Sequence, residues 1–277
     1  MSDWMIKSIS FDFYKTLVQF WPPLGEIQQA ACHALGLEVS KSSLEYGYSL
    51  ADRYFNQENG RLSLASRSPG ERLEFFARYE QMILENAGLP VSLDLAGQVW
   101  QMATAIPKDF VPFDDTIPAL AALRSEGYRM GVLTNLRQDI GDLCRRLGLD
   151  QYLDFCINAE QVGAEKPHAS MFLAVLERAS VNAGEAVHVG DQLESDVLGA
   201  RAVGMHGVLI DRGDWQAKVK DCPRIERLSE LEAALERPIV TSNQAALWCA
   251  LRTAGIDDAI DGLGRLGTMD LAMPAVA

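Results

Sequence analysis

Four short groups of residues in this chain have types and spacings that could do chemistry together. In Ser10-Phe11-Asp12-Phe13-Tyr14-Lys15-Thr16-Leu17 a carboxylate follows directly on a β-rich run. A carboxylate at a strand end is rigidly placed yet open to ligand, as a covalent nucleophile requires. Val132-Leu133-Thr134-Asn135 ends a second apolar run with a hydroxyl and an amide that can hydrogen-bond an oxyanion. Glu165-Lys166-Pro167 sets a cation just ahead of a helical pattern. In Gly190-Asp191-Gln192-Leu193-Glu194-Ser195-Asp196 two carboxylates five residues apart span a strand-to-helix junction, a spacing that lets both turn toward one hard cation such as Mg²⁺. Each group alone has a plainer reading: Asp12 as a turn former, Thr134-Asn135 as a helix cap, Lys166 as a solvated surface charge. Glu194 is spaced to face outward rather than to compete as a ligand.

The elements that must hold these residues can be read from periodicity. Short β-rich runs at Ile6 to Phe11 and Arg129 to Leu133, and short apolar runs at Phe155 to Ile157, Ala186 to Val189 and Gly207 to Ile210, predict strands. Helical periods cover Thr116 to Glu126, Asp139 to Leu147, Ser170 to Ala179 and Asp196 to Val203, with Gly127, Gly148, Gly184 and Gly204 where helix C-termini favour glycine. Strands alternating with helices predict an α/β fold, a doubly wound, parallel-sheet, Rossmann-like core whose ligands sit beyond the carboxyl ends of the strands. Asp12, Thr134 and Asp191 all fall at such ends.

Between Pro22-Pro23 and Pro107 the texture changes to long helical patterns, at Leu24 to Leu35, Leu44 to Asn56, Gly70 to Ala87 and Leu93 to Ala105, with no convincing strand. The expected organisation is a core of residues 1–20 and 108–238, an inserted all-helical domain of residues 21–107 acting as a hinged lid, and a C-terminal tail of residues 239–277, partly helical or loose, with no assigned chemistry.

A formal net charge of -13 would repel phosphate backbones and anionic lipid, and no basic run offsets it, so neither a nucleic-acid nor a membrane partner is expected. A small anionic substrate would then need a cation or backbone amides to hold it. Five cysteines with no C-x-x-C spacing speak against a disulfide framework or a zinc site and point to a reducing, cytoplasmic location. Neither a signal peptide nor a membrane span of the required ~18 to 20 apolar residues is evident.

The ordered set, Asp at the first strand, Thr-Asn at the second, Lys-Pro before a helix, then Gly-Asp-x-x-x-x-Asp, resembles the haloacid dehalogenase superfamily over roughly residues 5 to 237. The helical insertion looks like that family's helical cap. The resemblance implies that Asp12 attacks phosphorus to form an aspartyl-phosphate and that Thr134 and Lys166 bind the transferring oxygens. It also implies that Asp12, the Tyr14 backbone carbonyl and Asp191 hold Mg²⁺, with Asp196 in support.

Two positions depart from the family's phosphatases. Tyr14 stands where they carry a second Asp that protonates the leaving oxygen, and Lys15 where they carry a small Gly. A phenol of ordinary pKa ~10 can donate a proton but is a poor base. Tyr14 resembles instead the 2-haloacid dehalogenases, whose halide needs no proton and whose pattern lacks the metal, with Ser where this chain has Asp191. The expected function is therefore a Mg²⁺-dependent phosphatase of a small phosphorylated metabolite. The alternatives are a 2-haloacid dehalogenase working through an aspartyl ester, and a catalytically weak binding or regulatory protein on the same fold.

Elsewhere, His188 reads as a hydrogen-bonded core histidine, and Cys144 and Cys156 as small core fillers. Phe20 and Trp21 could meet a leaving group or simply pack where the insertion begins. Arg53, Arg67, Arg72 and Arg78 are candidates for contacting an anion.

Overall fold

A computed structural model describes residues 6–231, residue 63 excepted; the tail expected at residues 239–277 lies outside them. In chain order the strands are β1 (Ser8–Phe11), β2 (Val18–Trp21), β3 (Asp109–Pro112), β4 (Arg129–Thr134), β5 (Phe155–Asn158), β6 (Ala186–Gly190), β7 (His206–Ile210) and β8 (Arg224–Ile225). The helices are α1 (Leu24–Ala34), α2 (Lys41–Arg61), α3 (Pro69–Asn86), α4 (Leu93–Ala105), α5 (Thr116–Ser125), α6 (Ile140–Arg146), α7 (Ala159–Val162), α8 (Ala169–Ala179) and α9 (Gly199–Ala202). The chain divides into two compact units, one of Phe20–Val111 and one of the residues before and after it.

The larger unit is built on a parallel sheet in the order β5-β4-β1-β6-β7-β8. All four residues of β1 are buried although Ser8 and Ser10 alternate with Ile9 and Phe11, as expected of a strand covered on both faces. From β1 the sheet grows through β4 and β5 on one side and through β6 to β8 on the other. Connections diverge there, and doubly wound sheets hold ligands at such a switch point. Register pairs Phe11 with Val132 on β4 and with Val189 on β6, so the residues that follow these three strands emerge along one edge.

Side chains of Leu133, Phe155 and Ile157 pack on Met171, Phe172 and Val175 of α8. Burying each such side chain contributes roughly 1.5–3 kcal/mol, and it seats α8 and the segment leading into it on the sheet.

In the helical unit α2 packs with α3, α3 with α4, and α1 with both α2 and α4. Serines start three of these helices by accepting backbone N–H bonds: Ser40 from Ser43, Ser68 from Glu71, Ser92 from Leu95. Ile27, Ala31, Leu44, Ile83, Leu84 and Val99 form the centre of its core. Within the same helices, Gln28 of α1 and Glu80 of α3 are wholly buried and hydrogen-bonded to each other.

The expected helices and sheet strands appear with ends shifted by a few residues. Strands β2, β3 and β8, which carry no periodic signal, were not foreseen. β2 and β3 form a separate two-stranded sheet through which the chain leaves for the helical unit and returns. Phe20 stacks on Phe110 at 4.6 Å, the packing role, while Trp21 is 60% exposed. Arg67 donates to the carbonyls of Glu58 and Leu62 and Arg78 pairs with Glu74, so both serve local structure. Nothing is described for the side chain of Arg53. No described helix is long and apolar enough to cross a membrane.

Candidate active site

The site grows from the carboxyl end of β1. Asp12 continues that strand's ladder by donating its N–H to the Val189 carbonyl at 2.8 Å, which fixes its position beside β6. Its side chain, 12% exposed, takes the Lys166 ammonium on Oδ1 at 2.5 Å. Lys166 is itself buried, and its Nζ also donates to Asp196 Oδ1 at 2.6 Å. One lysine thus bridges two carboxylates from different connections, charge-assisted bonds in a site of low dielectric.

Asp196 reaches the lysine because of the turn that carries it. A π-helical turn, Leu193–Leu198, follows β6, where a helix was expected to begin only at Asp196. Asp196 N–H and Val197 N–H both donate to the Gln192 carbonyl, at 2.9 and 3.4 Å, and such π turns recur at functional sites. Gly190 makes the approach sterically feasible: a Cβ there would lie 2.2 Å from the Asp196 carboxyl carbon. The glycine of the Gly-Asp-x-x-x-x-Asp pattern is explained by this contact.

Both oxygens of Asp196 are engaged. Oδ1 takes Lys166 and lies 3.2 Å from His188 Nε2, and Oδ2 accepts the Gln192 N–H at 3.0 Å. His188, fully buried on β6, has its Nδ1 2.8 Å from Ser10 Oγ on the adjoining residue of β1. A chain of polar contacts therefore runs from Ser10 through His188, Asp196 and Lys166 to Asp12.

Asn135 plays a different part from the one expected of it. Its Oδ1 accepts the Lys166 N–H at 2.7 Å and its Nδ2 donates to the Lys166 carbonyl at 3.2 Å, so its amide clamps the lysine's backbone instead of facing an oxyanion. Thr134, 2% exposed, accepts the Leu136 N–H on Oγ1 at 3.2 Å.

Burial dominates the protonation equilibria. It pushes Asp12 up to about 6, with Lys166 pulling down and Asp196 pushing up. Burial also opposes charge on Asp196 and Lys166. There the pair attraction wins, holding Asp196 below the usual carboxylate range and Lys166 above the usual lysine range. Burial lowers His188 despite its Asp196 contact, so the imidazole is neutral near pH 7.

Asp12, Lys166 and Asp196 are thus brought together, with Asn135 behind the lysine. Asp191, half-buried just beyond β6, has its carbonyl held by Gln216 Nε2 at 2.9 Å. Tyr14 is half-buried, with the Lys15 ammonium 5.8 Å from its ring centroid. Lys15 has a φ of 64°, the left-handed region in which glycine is favoured.

Among the described residues no three His, Cys, Asp or Glu side chains gather as a metal site. Asp196, expected to support an ion held by Asp12, the Tyr14 carbonyl and Asp191, is engaged by Lys166, His188 and the Gln192 N–H.

Sequence reasoning missed two supports. Arg212 donates to the Thr16 carbonyl at 2.8 and 3.2 Å and pairs with Asp115, tying down the loop after Asp12. Gln216 was not singled out either. Neither lies in a pattern that could have marked it.

Comparison with known proteins gives the same framework. A ribulose-1,5-bisphosphate 5-phosphatase from Halopiger xanaduensis is 30% identical over 213 residues, 75% of this chain and 85% of that protein. The crystal structure of a phosphatase of this superfamily from Thermococcus onnurineus is similar with 26% identity and a TM-score of 0.50, covering 85% of this chain and 100% of that one. An L-2-haloacid dehalogenase, 15% identical, shares the fold with a TM-score of 0.58 over 84% of this chain and 99% of its own. The haloacid dehalogenase-like hydrolase model matches residues 6–204, and the chain belongs to that family of hydrolases.

Proposed function

We propose that this hydrolase is a phosphatase of small phosphorylated metabolites in which Asp12 is the nucleophile, with Phe20–Val111 serving as a cap. The observation that carries the reading is the buried lysine bridging Asp12 and Asp196. Lys166 keeps the Asp12 carboxylate ionised for attack and offers a cation to phosphoryl oxygens, the main electrostatic need when an anion attacks an anion. The Thr134 hydroxyl, still able to donate a proton, would hold a second transferring oxygen. Asn135 and Asp196 position Lys166. The Halopiger relative, by its name, is a phosphatase, which supports this chemistry over halide displacement.

A hard divalent cation fits the donor chemistry. Asp12 and Asp191 follow the adjacent strands β1 and β6, and carboxylate oxygens are the ligands such a cation takes. Asp12, Asp191 and the Tyr14 carbonyl are the oxygens that would hold Mg²⁺. Bound there, it would neutralise charge building on the phosphoryl group. Tyr14 leaves departure of the alcohol without a strong proton shuttle, which favours substrates with good leaving groups.

The dehalogenase reading rests on Tyr14 alone. Both are tested by a screen of phosphorylated metabolites and 2-haloacids, with Mg²⁺ and with chelator, reading phosphate and halide separately. Chelator-sensitive phosphate release that vanishes in Asp12→Asn is expected; chelator-insensitive halide release would replace the proposal.

A further inference from the structure

Cys144 and Cys156, read from the sequence as separate core fillers, are neighbours. Cys144 lies on α6 and is wholly buried; Cys156 lies on β5 and is partly exposed. Their sulfurs are 3.9 Å apart in an S–H···S contact. We propose that these two thiols form an oxidisable dithiol, a modification site that a small organic disulfide such as oxidised glutathione converts to an intramolecular disulfide.

Three features support this assignment. The sulfurs need to approach by only about 1.9 Å to reach a bond of ~2.05 Å. The two residues sit on different elements, twelve positions apart, so the bond would tie helix to strand rather than join two turns of one helix. Access is also asymmetric, because an external disulfide can meet Cys156 but not Cys144. Cys156, the partly exposed thiol of the pair, is therefore the attacking sulfur.

The exchange balances in two steps. Cys156 loses its proton to solvent, and its thiolate attacks one sulfur of the organic disulfide. A mixed disulfide forms and one thiolate leaves. Cys144 attacks Cys156 Sγ, forming the Cys144–Cys156 bond and passing its proton to the second organic thiolate as that leaves as a thiol. Two cysteine thiols are oxidised and one organic disulfide is reduced to two thiols.

Other cysteines serve as internal controls. Cys32 is buried in the other unit and pushed up to about 11 by burial and by Glu80, and Cys222 is raised by burial. The test treats the folded full-length chain with oxidised glutathione, then alkylates and maps peptides by mass. A species lighter by two hydrogens, carrying a 144–156 cross-link and restored by dithiothreitol, is expected. Cys144→Ser should stop at a glutathione adduct on Cys156, and Cys156→Ser should leave Cys144 unbridged. The proposal is overturned if both thiols in the wild type remain alkylatable, or if Cys144 bridges Cys32, Cys222 or Cys249 as often as Cys156. The wild-type map decides alone if a serine variant does not fold.

Discussion

Glu80→Gln should stabilise the helical unit at alkaline pH and leave it nearly unchanged at acidic pH. Glu80 on α3 and Gln28 on α1 are both fully buried, with Gln28 Nε2 donating to Glu80 Oε2. The second oxygen of each, Gln28 Oε1 and Glu80 Oε1, is buried without a hydrogen-bond partner. Two acceptors without a donor are costly, and a proton on Glu80 supplies one, closing a carboxylic acid–amide pair. Burial pushes Glu80 up to about 7 against the pull of the Gln28 amide. Cys32, which faces Glu80 from α1, is a neutral thiol throughout this range.

The sign follows from proton counts. Between pH 4.5 and about 7 the folded state holds this proton and the unfolded state does not, so stability falls as pH rises and levels off above the folded pKa. At about 1.4 kcal/mol per pH unit the loss is about 3 kcal/mol, a large share of a stability of ~5–15 kcal/mol. Glutamine stays neutral and can present its NH₂ to Gln28. At pH 8 the variant should exceed wild type by about 3 kcal/mol, and at pH 5 by less than ~1 kcal/mol. Amide hydrogen exchange of α1 and α3, measured from pH 5 to 8 in both proteins, reads the difference and cancels other titrating groups. A difference constant across that range would refute the reasoning.

Lys15→Gly should raise stability by about 1 kcal/mol, because the left-handed φ of 64° costs a side chain roughly that much; thermal unfolding reads it, and a loss would contradict the backbone argument. Asn135→Ala removes both bonds to the Lys166 backbone and should cost about 2 kcal/mol. It should also lower kcat roughly 10²-fold through misplacement of the ammonium, so kinetics unchanged beside lost stability would reduce Asn135 to a purely structural part. Gly190→Ala should displace Asp196 and cost at least ~1–3 kcal/mol with loss of turnover, which denaturant titration and kinetics would check.

The strand ends of the site were legible because a buried parallel strand is a short β-rich run and its end is marked by the first carboxylate, as at Asp12 and Asp191. What spacing could not give was partnership. Asp12 and Lys166 are 154 positions apart, and nothing in Glu165-Lys166-Pro167 announces that the ammonium points inward. Asp196 looked like a cation ligand because a carboxylate five residues after another suggests a shared ion; the π turn instead directs it to Lys166 and His188. Asn135 was placed at the strand end that it follows, but its bonds to the Lys166 backbone carry no local signal. The Gln28–Glu80 and Cys144–Cys156 pairs arise from helix and strand packing, for which the sequence carries no local pattern.

The charges around Asp12 bear on the two departures from the phosphatase pattern. Lys166 is shared between Asp12 and Asp196, and His188 adds no charge because burial holds it neutral. Asp191, at the end of the neighbouring strand, adds a further carboxylate to the same edge. Lys15, where the family's phosphatases carry glycine, adds an ammonium 5.8 Å from the centroid of the Tyr14 ring. On the phosphatase reading proposed above, the two departures would act on separate halves of the reaction. The added ammonium would favour attack on an anionic ester, while the phenol in place of a carboxylic acid would narrow the range of esters that can depart.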